Sequence, residues 1–177
     1  MGQFLEATAD DRWSAAWWLL AMTGMRRGEV LGLAWDAVDL DASVVSVRRT
    51  LVTVQARRDG EPGMAWSEPK PDKSWRSVAL DPETVAVLRS HRARQLEERL
   101  LLGPAYDDQG LVVAKADGSP PHPKTLSWHF GSAVRRSGLP AIRLHDLRHS
   151  HATLALKAGV ILGSFRSGSA MPTWESR

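Results

Sequence analysis

The sequence predicts a mainly α-helical domain with one small antiparallel β-hairpin, an α+β fold. Three observations carry this. Residues 11–23, DRWSAAWWLLAMT, repeat apolar side chains at helical spacing. Asp81-Pro82-Glu83 is a helix start: Asp as N-cap, Pro in the first helical position, Glu in the first turn. Residues 43–54 alternate and are rich in β-branched side chains, and a similar run returns at 76–80.

The elements follow in order. The first helix spans 11–23, with acidic residues at its start, where the helix dipole favours them. Thr23-Gly24 breaks it, and a second helix runs from about Arg26 to Leu33 with Val30, Leu31 and Leu33 facing the core. Residues 37–41 form a turn. A strand covers 43–54, residues 57–69 are loop, and 76–80 is the returning strand, so the hairpin has a long connection. The helix opened by Asp81 extends to about Leu102 with an Arg/Glu-rich solvated face. A short strand is expected at 111–114 and a Pro-rich loop at 118–123. A helix follows at 124–137, ended by Gly138, and another spans 144–158, ended by Gly159. Residues 161–177 are Gly/Ser-rich without helical or strand period and are expected to be irregular. No repeat and no internal domain boundary is visible.

Composition excludes several classes. The 177 residues suffice for one domain with a real core. With 43% apolar and 24% charged residues the chain is ordinary for a globular protein. There is no cysteine, hence no disulfide and no thiolate metal site. The start lacks a basic segment followed by an apolar run, so it does not read as a signal peptide. The apolar stretch around residues 15–22 is too short to span a bilayer. Net charge is +3, which permits nucleic acid as a partner without demanding it.

Three groups carry chemistry. TGMRRGEVLGLAW, residues 23–35, places Arg26 at a helix N-terminus beside free N–H groups, where an anion is favoured. Glu29, one turn on, is able to pair with an arginine or with backbone amides. Taken alone, Arg26 is more simply read as a surface arginine after a turn. SEPKPDKSWRSVAL, residues 67–80, puts Lys70 and Lys73 where the hairpin returns. Either reaches across a cleft as a point charge or proton donor, or simply keeps the hairpin soluble. LHDLRHSHATLALKAGV, residues 144–160, sets His145 and Arg148 on one helix face, with His149 sharing much of it. That pairing suits proton transfer beside a guanidinium that grips phosphate or carboxylate. The i, i+4 histidines also match a metal-ligand spacing, but no Glu stands between them in the zinc-protease pattern and no third ligand is evident.

With these segments in this order, the chain resembles the catalytic domain of tyrosine recombinases, the phage-integrase family. TGMRRGEVLGLAWDAVDLD is similar to the family's first arginine box, EPKPDKSWRSVAL to its β-hairpin segment and LHDLRHSHATLAL to its H-x-x-R box. The resemblance covers roughly residues 3–160. It implies Arg26, Lys70, His145 and Arg148 as catalytic residues, with Lys73 the weaker match for the lysine. It also implies attack of a tyrosine hydroxyl on a DNA phosphodiester to give a 3′-phosphotyrosyl link. Two arginines would clamp the non-bridging oxygens, the lysine would protonate the leaving 5′-oxygen and the histidine would move the nucleophile's proton. The implied partners are double-stranded DNA and further integrase protomers, assembled as a tetramer on DNA. No cofactor and no metal is implied, and the implied location is the bacterial cytoplasm, at the nucleoid.

The sequence departs from the family after about Val160. No Gly-His pair and no tyrosine follow, and Trp174 sits in no recognisable third box. Tyr106, the single tyrosine, precedes the second box and reads as a loop residue rather than the nucleophile. The family's N-terminal DNA-binding domain is not in evidence either. The expectation is therefore residues 1–160 as a partial catalytic domain, incomplete at its C-terminus, and 161–177 as a non-homologous or frame-shifted tail. Function is read as site-specific recombination by family, with this chain inactive alone. The alternative is a non-enzymatic DNA-binding or dominant-negative integrase fragment. A metal-dependent hydrolase using His145, His149 and His151 ranks last.

Overall fold

The computed structural model describes residues 2–54, 63–67, 76–144 and 146–147. Its architecture is mostly helical with two small antiparallel sheets. The central helix α2 (Ser14–Thr23) is buried on nearly every side: Ala15, Ala16, Trp17, Leu19, Leu20 and Ala21 are all enclosed. A helix apolar all round belongs in the middle of a core. Its start lies later than the sequence reading had it. Asp11 is not in the first turn but in the turn before it, where its Oδ1 accepts from the Trp13 amide at 2.9 Å.

Helix α1 (Gly2–Ala7) was not anticipated. It is too short to show a period, and tertiary packing forms it. Phe4 sets its ring 5.2 Å from Phe130 and 6.3 Å from Trp17, and Trp17 meets Phe130 at 5.4 Å. Such tilted and edge-on pairs add to the burial of their area. Helix α3 (Arg27–Gly32) follows α2 directly and buries Val30 and Leu31, with Leu33 just beyond it, as the sequence predicts.

The β region differs most from expectation. The turn at 37–41 is in part a single 3₁₀ turn, Trp35–Ala37, leading into a two-residue strand β1 (Val38–Asp39). The single strand at 43–54 is two strands, β2 (Val44–Val47) and β3 (Thr50–Val54), in different sheets. The loop at 57–69 contains β4 (Gly63–Ser67), and β5 (Arg76–Ala79) is the predicted return. β2 lies between β1 and β5, and β3 pairs with β4, all antiparallel. The break at Arg48-Arg49 has a physical cause. There the chain bends over the glycine face of α3: a Cβ on Gly32 would stand 2.6 Å from the Arg49 carbonyl oxygen, and one on Gly28 2.7 Å from that of Leu51. Arg49 secures the bend by donating to the Gly32 carbonyl at 2.9 Å and lying over the Trp66 ring.

Helix α4 (Pro82–Leu102) begins as predicted, with the Asp81 carboxylate accepting from the Thr84 amide at 2.8 Å. Its inner stripe is Thr84, Leu88, His91 and Gln95, all buried. His91 and Gln95 serve a backbone stretch. His91 Nε2 meets the Val112 carbonyl at 2.7 Å, Gln95 donates to the same oxygen at 3.0 Å, and Trp35 Nε1 donates to Gln95 at 2.8 Å. The strand expected at 111–114 is absent for this reason. Those residues are buried, but α4 side chains and one isolated bridge, Ala34 to Leu111, satisfy their backbone instead of a ladder. Burial lowers His91 to about 4, with the nearby Arg94 and Arg12 charges acting the same way against the Val112 hydrogen bond.

Helix α5 (Pro123–Arg136) starts one residue before its predicted position and ends before Gly138, at φ +65°. Of the helix expected at 144–158, residues 144, 146 and 147 are helical and the remainder lies outside the described residues, as does 161–177.

Candidate functional site

The site grows from the reversal between α2 and α3. Gly24 takes a left-handed conformation (φ 60°) that few other residues adopt without strain. The Thr23 hydroxyl closes the turn by donating to the Leu19 carbonyl and accepting from the Met25 amide. Arg26 is then the N-cap of α3, extended at φ −75° and ψ 151°. Its amide donates to Glu29 Oε2 at 2.7 Å and its guanidinium donates through Nη1 to Glu29 Oε1 at 2.9 Å. Both pairings considered for Glu29, with an arginine and with a backbone amide, are thus present.

Glu29 has a further partner that the sequence reading missed. Arg76, the first residue of β5, donates Nη1 to Oε1 at 2.9 Å and Nη2 to Oε2 at 2.7 Å. Each carboxylate oxygen therefore accepts two hydrogen bonds, close to the full capacity of the group. Burial alone would push the Glu29 carboxyl up, but the Arg76 pair and the Arg26 bonds outweigh it and hold the carboxyl below its ordinary range. The Glu29 side chain is 5% exposed and that of Arg26 65% exposed, so the carboxylate is the buried base and Arg26 the outward limb.

Arg26 lines a cleft of about 900 Å³ formed by α3, β3, α5 and residues 142–144. Among the described residues its polar wall holds Arg26, Arg27 and Arg143 together with Thr50, Thr53 and Ser127, and no carboxylate. Arg27 spans the mouth, donating to Ser127 Oγ of α5 at 2.7 Å. The Arg143 amide donates to Asp146 Oδ2 at 2.7 Å. Among the described residues this is a concave, positively charged surface suited to an oxyanion.

The other predicted site residues, Lys70, Lys73, His145 and Arg148, lie outside the described residues, as do His149, His151 and Trp174. Their flanks are described. Ser67 pairs with Thr50 and Arg76 with Val47. The eight residues 68–75, which include Lys70 and Lys73, join points that pair three positions apart on the outgoing arm. Leu144, ahead of His145, lines the cleft, and Leu147 is buried. Tyr106 does not line the cleft. It packs against Gly118, and burial together with Glu98 and Asp108 raises its hydroxyl pKa, which disfavours the phenolate. Among the described residues no cluster of three or more His, Asp or Glu is set to hold a metal, and no helix is long and apolar enough to cross a membrane.

Comparison with known proteins places the chain in a family. The curated relatives include a XerC-like tyrosine recombinase of Caldanaerobacter subterraneus, 30% identical over 163 residues, which cover 89% of this chain and 42% of the relative. A putative prophage phiRv2 integrase of Mycobacterium tuberculosis is 31% identical, covering 86% and 37% respectively. The chain thus spans about two fifths of the length of these relatives. Among solved structures, the Tn1549 transposon integrase in complex with transposon right-end DNA shares the fold with a TM-score of 0.71 at 20% identity, over 89% of this chain and 51% of that one. XerA recombinase does so at 0.68 and 24% identity, over 89% and 48%. The model of the phage integrase family matches residues 2–163 of the 177, and on that match the chain belongs to the phage integrase family.

Proposed function

We propose that the chain carries the phosphate-gripping part of the catalytic domain of a site-specific DNA recombinase. The observation that carries this reading is Arg26, braced by Glu29 on the wall of a cleft whose described lining holds arginines and no carboxylate, in a chain of this family. The Arg26 N–H groups not engaged by Glu29 are available to the non-bridging oxygens of a DNA phosphodiester, and Arg148 is proposed as the second arginine. In the transition state the added negative charge on those oxygens is met by fixed donors that need little rearrangement. Lys70 is proposed to give its proton to the 5′-oxygen as the P–O bond breaks. His145 is proposed to take the proton of the attacking tyrosine as the new O–P bond forms. The partner is double-stranded DNA; in support, the Tn1549 integrase is solved in complex with transposon right-end DNA and with a circular intermediate DNA. Assembly with further protomers into a tetramer, at the nucleoid of a bacterial cytoplasm, belongs to the same reading.

A second reading is favoured by Tyr106, the one tyrosine of residues 1–177, which stands away from the cleft with a raised hydroxyl pKa. On that basis residues 1–177 alone are expected to bind DNA without forming a phosphotyrosyl link. The test is fluorescence anisotropy with a labelled random-sequence duplex over a salt series, followed by denaturing electrophoresis. Affinity should fall as salt rises, and Arg26→Gln should weaken binding and reduce the log–log salt slope by about 1. Binding that is absent at low salt, or unchanged in Arg26→Gln, would overturn the phosphate-gripping assignment. A covalent adduct mapped to Tyr106 would overturn the non-cleaving one.

A further inference from the structure

We infer that Arg76 is a positioning residue that keeps Arg26 free for phosphate by saturating the other half of Glu29. The inference rests on the reading of Arg26 as a phosphate-gripping group and adds a residue to that site. Glu29 is nearly inaccessible, so water does not fill its acceptor positions. Two guanidinium groups share it unequally. Arg76 takes one site on each oxygen in a two-pronged pair, and Arg26 is left with a single side-chain bond, to Oε1. A two-pronged pair is the favoured geometry between arginine and a carboxylate. Without Arg76 the vacated positions on Glu29 would draw Arg26 into that geometry and turn its N–H groups away from the cleft. Competition between the two arginines therefore sets the direction of Arg26.

The placement of Arg76 supports this. It opens β5 opposite Val47, in a sheet separate from the β3 strand that walls the cleft, and its side chain is 26% exposed. Among the described residues its guanidinium is given to Glu29 and does not line the cleft. It acts on an anion through Glu29 and Arg26, not by touching it. A lysine would keep the charge but not the two parallel bonds.

The experiment uses the full chain as wild type, Arg76→Gln and Arg76→Lys, with nitrogen-15 NMR of the arginine side chains and inorganic phosphate as probe. Circular dichroism checks that each variant is folded. In Arg76→Gln, rotation of the Arg26 guanidinium about its Cζ–Nη bonds should slow, and its apparent affinity for phosphate should fall about tenfold, the scale of one charge-assisted bond. Arg76→Lys should fall between. A purely structural role would lower the thermal midpoint and leave Arg26 rotation and phosphate response as in wild type, and that result in folded Arg76→Gln overturns the inference. Should phosphate fail to perturb Arg26 even in wild type, the phosphate-gripping reading falls. The rotation rates then still decide whether Arg76 governs the Arg26–Glu29 pair.

Discussion

Glu29 is a buried carboxylate on which two guanidinium groups, those of Arg26 and Arg76, rest. Its position three residues after Arg26 was enough to expect pairing with a guanidinium or with backbone amides, and it makes both bonds. Arg76 was not legible in this role, because it lies 47 residues along the chain and only the register of β5 against β2 brings it to Glu29. No local pattern encodes that register. A buried carboxylate holding two guanidinium groups is costly to remove alone, since both positive charges lose their partner. Glu29→Gln should therefore destabilise the fold by about 3 kcal/mol in urea unfolding at neutral pH. The pH dependence has a definite sign. The folded-state carboxyl lies below its ordinary value of 4.5, so its contribution is complete above that value and is lost as pH falls through the lower, folded one. The acid limb of the stability curve should be shallower in Glu29→Gln than in wild type.

At the scale of elements, helices with chemical punctuation were read well. The Asp81 cap and Pro82 fix the start of α4. Helix α5 ends at Arg136, two residues before the left-handed Gly138. What α4 does inside was hidden, because Thr84, His91 and Gln95 look like members of a solvated face. The burial of His91 and Gln95 depends on a distant stretch, 110–114, whose carbonyls need donors. His91 makes this testable. Its pKa drops from 6.5 to about 4 on folding, so the unfolded chain binds more protons between those values. Stability is then complete above pH 6.5 and falls as pH is lowered toward 4, by about 3 kcal/mol in all. Urea curves at pH 7 and pH 4.5 should show this loss in wild type and much less of it in His91→Gln, which keeps a donor for the Val112 carbonyl.

For the whole molecule, the mainly helical fold with a small antiparallel component was legible, while the division of its strands was not. Arg48 and Arg49 carry no turn signal. The strand breaks there because Gly28 and Gly32 let α3 approach the backbone, a fact about packing that alternation does not record. The same division predicts uneven protection. Helix α2 is enclosed by the Phe4, Trp17 and Phe130 cluster and by α4, whereas β3 and β4 form a two-stranded pair with mostly exposed residues toward its tip. Two-stranded pairs are marginal by themselves. Hydrogen exchange by NMR should find the slowest amides at Trp17, Leu19 and Leu20, and far faster ones at Val54 and Met64. Equal rates in the two places would contradict this division of the fold.

The paired arms also differ in length. Between the Thr50–Ser67 and Val47–Arg76 pairs, the outgoing arm holds residues 48–49 and the returning arm 68–75. Each ladder is fixed by its own partners, and neither register depends on how many residues separate Ser67 from Arg76. Chain length between these points is thus a variable that the fold leaves open to natural variation. Residues gained or lost there over generations would change the reach of the lysines while the Arg26–Glu29–Arg76 cluster stayed in place. Insertions among related genes should accumulate in that interval and be rare at 48–49, where the chain is pressed against α3.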